Sequence, residues 1–160
     1  MNKIHMLLRV LHHAERIAAR KLLVIGERHK SDHEVYHVTR DMAGWSHRHI
    51  RLLAEQGDRL GINLRDTTGR SRPLRVVRER TAELLGHRPE SGLLLLRDLR
   101  KLHLDLVGLS VDWEILGQTA QGAKDDELLA LTQKCHPDVL RQARWANNMI
   151  KVVSPQEMAS

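Results

Sequence analysis

The chain contains no phenylalanine, one tyrosine and one cysteine among its 160 residues. β-Sheet proteins draw on aromatic and β-branched residues, so the scarcity of both favours an all-α domain. Few aromatic rings also argue against a protein that binds single-stranded nucleic acid by stacking its bases. The lone Cys135 excludes a disulfide within the chain, and this fits a reducing compartment such as the cytoplasm.

Long hydrophobic runs are absent as well. No stretch approaches the roughly 20 apolar residues of a membrane span. The apolar N-terminal segment is interrupted by Arg9, His12 and His13, which makes it a poor secretory signal. The length suits one domain with a substantial core, and a formal charge of +6 is ordinary for a helical bundle. We therefore expect a cytoplasmic domain with no membrane partner, and with nucleic acid as a less favoured partner.

The first thirty residues define the architecture. Apolar positions recur there in alternating steps of four and three, the pattern of an amphipathic helix in a bundle. Ser31 and Glu34 have the spacing of a capping box for a second helix, and Gly61 suits its end. Pro137 predicts a kink or break within the last helix. Repetition of the pattern predicts four long helices, over 2–29, 31–60, 91–121 and 125–152.

Loop lengths determine the predicted topology. Short turns join the first helix to the second and the third to the fourth, so each pair forms an antiparallel hairpin. About thirty residues, 61–91, separate the hairpins, enough for a long crossover with a short helix that begins near Pro73. The sequence thus predicts one domain over 1–152 and a flexible C-terminal tail over 153–160.

Four long helices with one central crossover resemble the ferritin-like superfamily of four-helix bundles. The resemblance covers residues 2–152 and depends on architecture and on the spacing of apolar residues. It implies a di-iron or di-manganese centre, with one Glu from each of two helices and Glu-x-x-His from each of the others. Glu15 matches this pattern at the middle of the first helix. His49 matches in part, because Ser46 stands where the second helix should supply a Glu.

This set of ligands is too small for two metal ions, and two interpretations of the centre remain. Glu15, His49 and His103 could hold one divalent iron, manganese or zinc ion, as a binding site or in an enzyme. Alternatively, Glu15 and His49 form a buried ion pair, the remnant of a metal site, with Gln142 and Asp138 as further buried polar residues. The second interpretation favours a structural or interaction role, as a dimer through an exposed apolar helix face.

Other polar residues have simpler interpretations. Cys135 falls on the apolar face of the fourth helix, which indicates a buried thiol and not a nucleophile. The three tryptophans are predicted core residues, and most of the eleven histidines are predicted surface residues. The crossover carries a basic stretch that could bind a phosphate-bearing ligand or nucleic acid: Arg70, Arg72, Arg75 and Arg78.

Overall fold

The computed structural model describes residues 2–65 and 90–160, and all the regular structure in these two ranges is helical. The predicted all-α class with four long helices is confirmed. The short helix predicted near Pro73 lies outside the described residues. In chain order, the helices are α1 (Lys3–Arg28), α2 (His33–Arg59), α3 (Ser91–Ala123) and α4 (Asp126–Met158).

Side-chain caps begin three of these helices, and Asn2 caps α1 by accepting from the amide of Ile4 at 3.0 Å. Asp125 caps α4 by accepting a hydrogen bond from the backbone amide of Leu128 at 3.0 Å. Asp32 caps α2 by accepting from the amide of Val35 at 3.1 Å. The predicted capping box of Ser31 and Glu34 is therefore wrong, because the N-cap of α2 is Asp32 and Ser31 lies one residue before it.

The predicted end of α2 is confirmed, whereas the predicted course of α4 is not. Gly61 has φ +77° and ends α2 as predicted, since glycine adopts this conformation without strain. Pro137 does not break α4, which runs from Asp126 to Met158. Pro137 is exposed, so solvent can reach the backbone on that side of the helix. The predicted end of the last helix at residue 152 is also wrong, because α4 continues to Met158 and the side chain of Val153 is buried in the core.

Contacts along α1 give the direction of α3. Glu15, at the middle of α1, contacts Trp113 in the second half of α3. Arg28, at the end of α1, contacts Asp98 near the start of α3. The two helices are therefore antiparallel. Because α1 is also antiparallel to α2 across the short turn after Arg28, helices α2 and α3 run in the same direction.

Helix α4 packs against α3 and α2. His49 of α2 contacts Asp138, and Arg59 at the end of α2 contacts Asp125 at the start of α4. Helices α2 and α4 are thus antiparallel. Each helix therefore has two neighbours, and the described residues form a closed four-helix arrangement around one core.

Leucine dominates that core. Burial of one such side chain contributes about 1.5–3 kcal/mol, so the aliphatic layers supply most of the stabilisation. The outer helix faces are largely polar, and among the described residues no helix combines the length and hydropathy that a bilayer requires. Leucines with at most 1% exposure come from all four helices: Leu8, Leu11, Leu22, Leu53, Leu99, Leu102, Leu106, Leu116 and Leu128.

Candidate functional site

A carboxylate interrupts the leucine core near the middle of α1. Glu15 is fully buried, and its Oε1 accepts a hydrogen bond from the indole Nε1–H of Trp113 at 2.8 Å. The same oxygen lies 2.9 Å from Nδ1 of His49. Its second oxygen, Oε2, has no hydrogen-bond partner among the described residues. Burial of a carboxylate is costly, and here two donors on one oxygen offset part of that cost.

His49 lies between two carboxylates. Its Nδ1 faces Glu15, and its Nε2 lies 3.0 Å from Oδ2 of Asp138. A neutral imidazole carries one N–H, so it cannot donate to both. Burial lowers the pKa of His49, but the hydrogen bonds that its ring donates to Glu15 and Asp138, together with their negative charges, raise it by more, and the pKa lies above its ordinary value of 6.5. An imidazolium that donates to both carboxylates accounts for the geometry.

Asp138 connects this buried network to the surface. Arg48 donates to its Oδ2 at 3.2 Å, and Arg141 donates to its Oδ1. Burial raises the pKa of Asp138, but the hydrogen bonds from His49, Arg48 and Arg141 lower it by more, so the pKa lies below its ordinary value. Both guanidinium groups are about half exposed. Arg48 on α2 and Arg141 on α4 thus balance the negative charge of Asp138 from the solvent side.

A second polar contact lies beside the first. Gln142 is fully buried one turn after Asp138, and its Nε2 donates to the carbonyl of Met42 at 2.9 Å and to Oγ of Ser46 at 3.0 Å. Its Oε1 has no partner within the described part of the chain. Ser46, which stands where the ferritin-like pattern has a Glu, thus serves as a hydrogen-bond acceptor between α2 and α4.

The three predicted metal ligands do not come together. Glu15 and His49 are in contact, but Nδ1 of the half-buried His103 lies 2.9 Å from the carbonyl oxygen of Ala143, between α3 and α4. Over residues 2–65 and 90–160, no three His, Cys, Asp or Glu residues are arranged to hold a metal ion. Both ring nitrogens of His49 already face carboxylates. These residues do not fit the di-metal centre that the resemblance implies.

Of the two other candidates, only Cys135 lies within the described residues. Cys135 is buried, and burial together with the charges of Glu15 and Asp138 raises the pKa of its thiol to about 12. The thiol therefore stays protonated at neutral pH and is not an activated nucleophile, as the sequence indicates. The basic stretch lies outside the described residues: Arg70, Arg72, Arg75 and Arg78.

Sequence reasoning missed a second buried ion cluster near the end of α1. Oδ2 of Asp98 lies 2.8 Å from both Nε2 of His29 and Nη1 of Arg28. Burial raises the pKa of Asp98, but these hydrogen bonds lower it by more, and the pKa lies below its ordinary value. A signal was present, since Asp98 is three residues after Leu95 and shares the apolar face of α3. A charged residue at such a position needs a partner.

No protein-family model, curated protein or solved structure matches the chain. Its function therefore has to be inferred from the geometry of its own residues.

We expect the free energy of unfolding to fall on both sides of a plateau in pH. The raised pKa of His49 means that its contribution is complete below 6.5 and is lost as pH rises through the folded-state pKa. The lowered pKa values of Asp138 and Asp98 mean that their contributions are present above 3.8 and are lost as pH falls. Maximum stability should thus lie between these two values.

Urea denaturation followed by circular dichroism, from about pH 3 to about pH 10, measures this dependence. In His49→Gln the alkaline loss should become shallower than in the wild type, whereas the acidic loss should remain. An alkaline slope that is the same in both proteins would contradict the assignment of that loss to His49.

Proposed function

We propose that this chain is a helical-bundle interaction protein, and that its polar centre holds the four helices in register without a metal ion. One observation carries the proposal. The ring of His49 is held between Glu15 and Asp138, on two different helices, and Trp113 of the remaining helix donates to the same Glu15 oxygen. Every helix of the bundle thus contributes one buried side chain to one network.

Such a network favours specificity of packing over stability. A buried ion pair often adds little net stability compared with well-packed apolar residues, but a polar group in a core can select one register. A helix that slid by one turn here would separate a buried charge from its partner. A metal ion would have to displace His49 from at least one carboxylate before it could use the ring as a ligand.

The finer fold is also a proposal. The parallel directions of α2 and α3 support a long crossover between the two hairpins, as in ferritin-like bundles. Under that proposal, Glu15 and His49 are what remains of an ancestral metal site. The single, protonated Cys135 supports a reducing, cytoplasmic location.

An interaction role draws support from the molecular surface. Several large aliphatic side chains on α3 are 40% or more exposed, although the same helix buries a complete leucine face. Two apolar faces on one helix exceed what packing within the bundle requires, and exposed apolar patches mark association sites.

Elemental analysis tests the metal-free centre. The protein should be purified without a histidine tag, because exposed His33 and His37 stack on one face of α2 and can retain nickel. We expect iron, manganese and zinc well below one atom per chain, and an unfolding midpoint that does not change with a chelator.

Two variants make this experiment decisive. Glu15→Gln removes the buried carboxylate, and Glu55→Gln removes an exposed carboxylate on α2 as a control. A stoichiometric metal that is present in the wild type and in Glu55→Gln, but lost in Glu15→Gln, would overturn the proposal and establish a metal site at Glu15.

A further inference from the structure

Helix α3 carries a second apolar face that points away from the core. We name it the α3 face and define it as Leu104, Val107, Val111 and Ile115, which are 53%, 42%, 54% and 48% exposed. At about 100° per residue, Val111 and Ile115 lie within about 20° of Leu104, and Val107 borders them. Gly108 lies among them, and a side chain there would meet no other atom within 4 Å. The face is therefore open to close approach by another helix.

Two residues of opposite charge lie beside the α3 face at different points along the helix. Lys101 precedes the face in the sequence and is exposed, whereas Asp112 follows Val111 and is half-buried. Neither side chain forms an ion pair within the described residues. Burial raises the pKa of Asp112, since no cation offsets the loss of solvent. Both residues lie on the same flank, about 60° and about 80° from Leu104.

We propose that the α3 face binds a second copy of this chain, with the two α3 helices antiparallel and Lys101 of each copy paired with Asp112 of the other. This inference rests on the proposed interaction role and names the partner. Along the helix, Lys101 lies six residues before position 107 and Asp112 five residues after it. A two-fold axis near that position brings the two residues opposite each other, twice by symmetry.

The same axis aligns the apolar residues. Leu104 lies three residues before position 107 and Val111 four residues after it, so Leu104 of one copy packs against Val111 of the other. In an antiparallel helix pair, equivalent flanks face each other, which places Asp112 beside a lysine. A parallel pairing would instead turn the flank that carries Lys101 and Asp112 toward the opposite flank of the partner helix, so these two residues could not pair. Charge therefore selects the antiparallel arrangement.

Light scattering after gel filtration, together with sedimentation velocity, tests the pairing. The wild type should have twice the mass of one chain at micromolar concentration. Val111→Lys should have the mass of one chain, with unchanged helicity by circular dichroism because the position is exposed. Val152→Lys is the matched control, since Val152 is 53% exposed on α4, and it should remain a dimer.

A charge exchange tests the orientation. Lys101→Asp and Asp112→Lys each place like charges in contact, so each protein alone should dimerise at least about tenfold more weakly than the wild type. Mixed together, they should form a heterodimer with near wild-type affinity, because both symmetric contacts then join opposite charges. Recovery in the mixture cannot arise from a general loss of folding.

Three results would overturn the inference: a monomeric wild type, a Val111→Lys protein that stays dimeric, or no recovery in the mixture. None of them alters the metal content by which the proposed function is tested. Conversely, a metal found at Glu15 would overturn the proposed function and leave the measured dimer unaffected.

Discussion

Replacement of Glu15 by alanine should lower the free energy of unfolding by about 3–5 kcal/mol, the usual cost of removing one partner from a buried ion pair. Glu15 is fully buried and holds both His49 and Trp113 on one oxygen. Without it, the indole N–H of Trp113 has no acceptor, and His49 keeps only Asp138. Urea denaturation at neutral pH measures the loss, with Glu55→Gln as a control that should lie within about 0.5 kcal/mol of the wild type.

A compensated variant separates the cost of broken partners from the value of the network. Glu15→Leu, His49→Leu and Trp113→Phe together remove the carboxylate, the imidazole and the indole N–H, so none of these groups is left unpaired. Such replacements are often neutral or stabilising, and we expect stability within about 1 kcal/mol of the wild type or above it. A triple variant as unstable as Glu15→Ala would show that the network itself supplies stability, and would contradict a role in register alone.

Trp113 and Trp145 give the second prediction, because only the indole N–H of Trp113 has a hydrogen-bond partner among the described residues. Trp113→Phe should cost about 1.5–3 kcal/mol more than Trp145→Phe, the usual value of a hydrogen bond to a charged group. Nε1 of Trp113 donates to Glu15 at 2.8 Å. Nε1 of Trp145 is buried without a partner within the described residues, so its removal forfeits no bond. Trp113 is fully buried whereas Trp145 is only half-buried, so the difference combines the hydrogen bond with a smaller loss of packing.

Chemical denaturation of the two variants measures this difference. Circular dichroism is the better signal, because each substitution removes an indole and therefore changes the fluorescence. Equal losses in the two proteins would mean that the indole of Trp113 acts only as core volume. A larger loss in Trp145→Phe would contradict the description of Glu15 as an acceptor that needs both of its donors.

The alternating apolar pattern was sufficient to predict the helices, because packing of an amphipathic face determines helix formation more than local propensity does. Glu15 and His49 were identified by the same pattern, as polar residues where leucine belongs. Details of local chemistry were less predictable. Ser31 and Asp32 are both good capping residues one position apart, and only the path of the turn decides between them.

Partners across helices could not be read from the pattern. His103 does not lie level with Glu15, because Glu15 contacts Trp113, ten residues later and about 15 Å further along α3, whereas the ring of His103 faces the carbonyl of Ala143. A repeat of apolar positions indicates which face of a helix is buried, but not how far one helix is shifted along its neighbour. Trp113 was predicted as core volume, although a buried indole N–H usually has an acceptor. That rule would have suggested its bond to Glu15.

The polar contacts between the two hairpins also determine how the molecule comes apart. Trp113 and Asp138 belong to the second hairpin, yet the groups they satisfy, Glu15 and His49, belong to the first. Each hairpin alone keeps only part of the network, Glu15 with His49 in the first and Asp138 with Arg141 in the second. Partial unfolding that released α3 and α4 would break the contacts of Trp113 with Glu15 and of Asp138 with His49 and would expose the leucine core, so such a state is sparsely populated. The two halves should therefore melt together in a single cooperative transition.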